Sequence, residues 1–223
     1  PGAPAPAPLT SLYLGNEISD AEAEAALVER AKHLEWTRHE DIERVAAKLI
    51  ADHKIVGRVA GRMEWGARAL GNRSILAHPS DLGNVRRLNA AIKMRDYWMP
   101  FAPSLLYERR HDYTENPRNL DAPTMTQAFR STPLAQRELI AALHPSDLTC
   151  RPQFVRADQN PGYHHLLSCF QELTGIGGVL NTSLNLHGEP IVCSADDALN
   201  TLLNSGLDHL TLGQYLVSKR DPE

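Results

Sequence analysis

From Glu40 to Asp52 the apolar residues Ile42, Val45, Ala46, Leu49 and Ile50 fall at i, i+3, i+4, i+7 and i+8. That spacing gathers all five on one face of an α-helix, and an apolar face of this width must be covered by a sheet or another helix. The pattern then changes at once. Lys54–Ala60 reads as a short strand and Gly61–Gly71 as a loop punctuated by glycines.

The rest of the chain repeats this mixture. Asp20–Trp36 puts Ala23, Leu27, Ala31 and Leu34 on one helical face. Asn84–Lys93 fits a helix with Val85, Leu88 and Ile92 inward and Arg86, Asn89 and Lys93 together on another face. Pro100–Tyr107, Thr124–Arg130, Ile140–Leu143 and Pro152–Arg156 read as strands. Gly162–Thr174 reads as a helix and Gly177–Asn181 as a short buried strand. Ser194 and Asp197 form a capping box opening a helix over Ala195–Asn204, and Asp208–Gly213 alternates as a closing strand. Helices and strands mixed without a strict βαβ rhythm point to an α/β or α+β sheet rather than a barrel. Residues 1–11 read as a Pro/Ala-rich linker, and 12–223 as one domain.

No run approaches ~18 uninterrupted apolar residues, so no membrane span is expected. Cys150, Cys169 and Cys193 are odd in number and lack any CxxC, which argues for a reducing cytoplasm over a zinc site or disulfide framework. The ten histidines include no HxxxH or HExxH pair, so no metal site is expected. A net charge of −4 argues against general nucleic-acid binding. Its distribution is uneven: Gly61–Arg110 holds nine basic and four acidic residues, against 14 and 23 in the remainder. A basic island in an acidic chain points to a small anionic ligand, with a solvated basic face as the alternative.

Three segments carry chemistry. Gly61–Ser74 sets Arg62, Arg68 and Arg73 among Gly61, Gly66 and Gly71. Glycines let backbone approach a ligand, and guanidinium groups fork onto phosphate or carboxylate oxygens. It is not a Walker A loop, since GK[ST] occurs nowhere. A glycine-rich turn with surface arginines is the alternative. Asn89–Arg95, running into Pro100–Ser104, offers Lys93 and Arg95, which suit a phosphate or simply a helix C-terminus. Leu180–Asn185, leading to Gly188–Val192, follows an apolar strand with Asn181, Thr182, Ser183 and Asn185. Such amides and hydroxyls can orient a carbamoyl or phosphoryl oxygen, or merely build an Asx-rich turn.

Taken in order, Gly61–Ser74, Asn89–Ser104 and Asn181–Val192 resemble the defining blocks of the C-terminal domain of NodU-type carbamoyltransferases, and the likeness runs from about Leu12 to Lys219. The resemblance implies a YrdC-like fold, a twisted mixed β-sheet flanked by helices. It implies that ATP with Mg²⁺ and carbamoyl phosphate are bound here and joined as carbamoyl-adenylate. A Kae-like N-terminal domain or subunit, the iron-holding half with HxxxH, would pass the carbamoyl group to an acceptor hydroxyl in natural-product or oligosaccharide biosynthesis. Dimerisation is left open. Matched position by position, Arg68 and Lys93 would clamp phosphates, Asn181 and Ser183 would orient carbamoyl and phosphate groups, and Arg151 matches the arginine of the family's HxDGTxR segment. Arg62, Arg73, Arg95 and Asn185 are secondary nucleotide-binding candidates, the arginines alternatively structural through Glu64, Asp96 or Glu189. Ala67 stands where the family has Pro, Met99 where it has Arg, and Leu148 where it has Gly. These departures raise the alternative of a catalytically degenerate domain that only binds nucleotide or a partner.

Overall fold

In the computed structural model, which describes residues 9–93 and 99–220, the apolar stripe after Glu40 forms a helix packed on a strand buried at every position. In chain order the first elements are α1 (Asp20–Glu29), β1 (Leu34–Arg38), α2 (Ile42–Ala51), β2 (Val56–Val59), β3 (Arg73–Ala77) and α3 (Leu82–Leu88). They are followed by β4 (Ala102–Leu106), α4 (Arg110–Tyr113), β5 (Thr114–Glu115), β6 (Phe129–Ser131), α5 (Pro133–Glu138), β7 (Thr149–Cys150) and β8 (Gln153–Val155). The last are α6 (Pro161–Thr174), β9 (Gly178–Ser183), α7 (Ala195–Leu203), β10 (His209–Leu212) and β11 (Tyr215–Lys219).

Eight strands form one mixed sheet in the order β1-β11-β10-β2-β3-β9-β4-β8. Among the described residues only the β10/β2 and β4/β8 pairs run parallel. The short strands β5, β6 and β7 make a separate antiparallel sheet. Alternation along the central strands supplies two cores. Ile75 and Ala77 face α1 and α7 through Leu27, Ala198 and Leu199. Val56 and Leu76 face α2 and α6 through Ile50, Leu166 and Phe170. The helices start where the sequence provides caps: Ser194 and Asp197 close the capping box on α7, and Asn160 accepts from the Tyr163 N–H at the head of α6. Gly175, at φ 79°, ends α6 in the left-handed conformation a side chain resists.

Several expectations are corrected. The helix expected over Asp20–Trp36 stops at Glu29, because Leu34 and Trp36 enter β1 and pair with Lys219 and Val217 of β11. Ile140–Leu143 is not a strand but a 3₁₀ turn over Ile140–Ala142 that continues α5. Of Thr124–Arg130 only the end joins a strand, and α3 gives way to a π-helical turn over Asn89–Lys93. β3 escaped the pattern altogether: it is buried on both sides, so it shows no alternation to read. Among the described residues no helix is long and apolar enough to cross a membrane.

His78 closes β3 in a setting that resists charge. It is 7% exposed, stacks on His53 with ring centroids 4.4 Å apart, and meets Phe170 edge-on at 5.4 Å. Its Nδ1 accepts from the Ser80 N–H at 3.4 Å. Burial, then repulsion from His53, push its pKa from 6.5 down to about 4, with Asp81 opposing. The unfolded chain therefore binds more protons between these values, so the His78 contribution is intact above pH 6.5 and is lost as pH falls toward 4. The expected loss, allowing for residual solvation, is on the order of 2 kcal/mol. Thermal unfolding across this range should show a shallower acid slope for His78→Gln than for the unmodified chain.

Candidate active site

Where β9 passes beside the start of β4, a small cleft of about 50 Å³ is lined by Ala67–Ala69, Pro100–Ala102, Met125, Arg151 and Asn181–Ser183. Five separate stretches of chain meet there, and three of them bring the expected site residues. The loop between β2 and β3 contributes Arg68, the entry to β8 contributes Arg151, and β9 contributes Asn181 and Ser183. Arg68 is exposed and Arg151 half-buried, while no carboxylate stands among the described lining residues. Guanidinium groups fork onto phosphate oxygens, and one such contact contributes roughly 1.5–3 kcal/mol.

Asn181 is 2% exposed and is held by what its amide can reach. Its Nδ2 donates to the Ala69 carbonyl at 3.2 Å and to Ser104 Oγ at 2.9 Å. A carbonyl only accepts, so Nδ2 must point that way and Oδ1 is left as a buried acceptor without a partner among the described residues. Ser104 Oγ donates to Gln153 Oε1 at 2.9 Å, and Gln153 Nε2 donates to the Leu70 carbonyl at 2.8 Å. Ser183 Oγ donates to Asn185 Oδ1 at 2.6 Å, while Asn185 Nδ2 reaches the carbonyls of Leu186 and Glu189.

The glycine-punctuated loop owes its shape to residues that the motif reading passed over. Glu64, 5% exposed, turns Oε1 onto the backbone N–H groups of Leu70 at 2.6 Å, Asn72 at 2.7 Å and Arg73 at 3.2 Å. Arg58, 2% exposed, donates to the Gly71 carbonyl at 2.7 Å and to Asn72 Oδ1 at 3.0 Å, and pairs with Glu43 at 2.5 Å. Burial opposes the charge on Arg58, but the Glu43 carboxylate outweighs it and raises the guanidinium above its usual range. Gly71 has φ 112°, and a Cβ there would lie 2.3 Å from the Tyr163 ring. Arg58 was legible in principle: a lone cation in an apolar strand has to be paired inside the fold.

Other expected site residues are placed elsewhere. Arg73 is fully buried and donates to the carbonyls of Ala60, Gly61, Asn72 and Asn16, with burial pulling its pKa down against the Glu64 charge. Arg62 donates to the carbonyls of Leu14 and Gly15. Both are seen bracing the loop through main-chain carbonyls, and neither lines the cleft, although Arg73 Nε has no partner among the described residues. Asn185 is likewise set behind Ser183 rather than along the cleft. Lys93 closes the π-helical turn, but its side chain lies outside the described residues, as does Arg95. Met99 is 39% exposed beside the cleft residue Pro100. Leu148 does adopt φ 57°, so the turn survives the loss of glycine at a cost in strain of about 1–2 kcal/mol. Met125, unanticipated, lines the cleft at φ 55°.

Residues 47–219 match the family described as the carbamoyltransferase C-terminus. The chain is 39% identical over 213 residues to the nodulation protein NolNO of Sinorhizobium fredii, covering 95% of this chain and 31% of that protein. It is 31% identical over 208 residues to the 3'-hydroxymethylcephem-O-carbamoyltransferase of Amycolatopsis lactamdurans, covering 91% and 36%. It thus spans about a third of the length of these relatives. Among solved structures, full-length HypF in its phosphate- and nucleotide-bound form superposes with a TM-score of 0.53 at 16% identity, over 84% of this chain and 22% of that one. The fold is YrdC-like.

Proposed function

Because the chain belongs to the carbamoyltransferase C-terminal family, we propose that its cleft binds ATP and carbamoyl phosphate and forms carbamoyl-adenylate. The observation that carries this reading is the meeting of Arg68, Arg151, Asn181 and Ser183 in one cleft, with Asn181 Oδ1 lacking a partner among the described residues. In the balanced sequence, water displaces phosphate from carbamoyl phosphate, leaving carbamate. A carbamate oxygen then attacks the α-phosphorus of ATP, and the bond to the β-phosphate oxygen breaks to release pyrophosphate. No protein nucleophile is required. The two arginines hold polyphosphate oxygens against their mutual repulsion, and Asn181 Oδ1 accepts an N–H of the carbamoyl group. Ser183, its hydroxyl steered by Asn185, orients an adjacent oxygen.

Mg²⁺ belongs to this reaction as the partner of ATP. The described residues hold no cluster of three potential metal ligands and the described lining residues include no carboxylate, so phosphate oxygens and water would be its ligands. Mg²⁺ neutralises phosphate charge when bound. A Kae-like partner domain or subunit would carry the carbamoyl group to an acceptor hydroxyl.

The test is pyrophosphate release from ATP, Mg²⁺ and carbamoyl phosphate, with bicarbonate and L-threonine as a control pair expected to be inert. Absence of pyrophosphate, even with a Kae-like half supplied, overturns the reading. The exposed Met99, where the family has Arg, favours a second reading: a degenerate domain that binds ATP without turnover. Calorimetry showing ATP binding alongside a silent assay would select it.

A further inference from the structure

The segment entering the domain is laid along the glycine-punctuated loop. The Gly15 N–H donates to the Met63 carbonyl at 2.9 Å, the Met63 N–H to Asn16 at 2.8 Å, and the Trp65 N–H to Leu12 at 2.6 Å. Within this strap Leu12 and Tyr13 pack inward. The Tyr13 hydroxyl donates to the Leu70 carbonyl at 2.8 Å and accepts from Gln153 Nε2 at 3.3 Å. Burial raises the Tyr13 pKa, so the phenol keeps the proton it donates.

Those two partners lie close in sequence to Arg68 and Arg151 and connect to Asn181. Leu70 follows Ala69, whose carbonyl orients Asn181, and Arg68 precedes them both. Gln153 stands two residues beyond Arg151 and reaches Asn181 through Ser104. One phenol is therefore tied to the loop bearing Arg68, to the strand entry bearing Arg151 and to the amide of Asn181. We propose that Tyr13 is a positioning residue, whose hydroxyl sets the register of these three segments and so the aim of Asn181 Oδ1. This rests on the reading of the cleft given above. The Tyr13 ring packs against the cluster of Leu70, Ala102 and Met125, while its hydroxyl acts through Leu70, Gln153 and Ser104.

Its removal is mild for folding, because Phe keeps the ring and Gln153 still donates to the Leu70 carbonyl. In Tyr13→Phe, kcat for pyrophosphate release should fall by about tenfold, as a misplaced group demands, while the KM for ATP stays near that of the unmodified chain. Ser104→Ala interrupts the same relay, so the double variant should be little worse than the weaker single one. Hydrogen exchange of the Leu70 and Asn72 amides should quicken about fivefold in Tyr13→Phe. Additive losses in the double variant, or unchanged exchange with unchanged kcat, overturn the proposal. Asn181→Ala separates the two claims. If it leaves pyrophosphate release intact, the reading of the cleft is wrong, and the exchange measurement alone then decides whether Tyr13 sets the loop.

Discussion

Replacing Asn181 with alanine is expected to slow pyrophosphate release by about two to three orders of magnitude, the usual loss when one fixed polar group at a reacting centre is removed. Its Oδ1 is buried without a partner among the described residues, and its orientation is set by Nδ2 donating to Ala69 and Ser104. An acceptor already desolvated and already aimed needs no rearrangement when a carbamoyl N–H arrives, which is why its loss should be felt in kcat. Affinity for ATP should hold, because Arg68 and Arg151 are untouched. Alanine also strands the Ala69 carbonyl, so a stability cost of about 1–2 kcal/mol accompanies the change. Assays belong well below the variant's melting temperature. Release within a few-fold of the unmodified chain would remove Asn181 from the reaction.

Glu64→Ala should cost on the order of 3 kcal/mol or more, because three backbone donors lose a charged acceptor at once. The amides of Leu70, Asn72 and Arg73 converge on one carboxylate oxygen inside the fold, where water is a poor substitute. The loss should appear as a lowered melting temperature and as weaker ATP binding, since the freed loop carries Arg68. Glu64→Gln keeps an acceptor of the same shape and should recover much of the stability. A variant that melts like the unmodified chain and binds ATP equally well would show that Glu64 does not hold the loop.

The two kinds of residue in this loop were unequally legible. Arg68 was set ahead of its neighbours by its match to the family's motif, and it lines the cleft. Arg62 and Arg73 carry the same side chain in the same fourteen-residue block, yet their donors end on main-chain carbonyls. Nothing local distinguishes them. Glu64 was seen only as a partner for arginines, whereas it serves backbone amides up to nine residues along the chain. The capped helices α6 and α7 were readable because caps and periodicity are encoded within a few neighbouring residues. β1 was misread as helix, because its strand state depends on pairing with β11, nearly two hundred residues away.

By itself the amino-acid sequence determined the class of fold, the family, and the three blocks that carry the likeness to it. Periodicity, capping and glycine placement act over a turn or two of chain, so they can be read without coordinates. Only the tertiary structure decided which cations face the cleft, which brace the loop, and that Tyr13, Gln153 and Ser104 form one relay. Whether a polar group meets a ligand or a carbonyl depends on contacts between segments far apart in sequence, and burial leaves each such group only the partners that folding brings within reach.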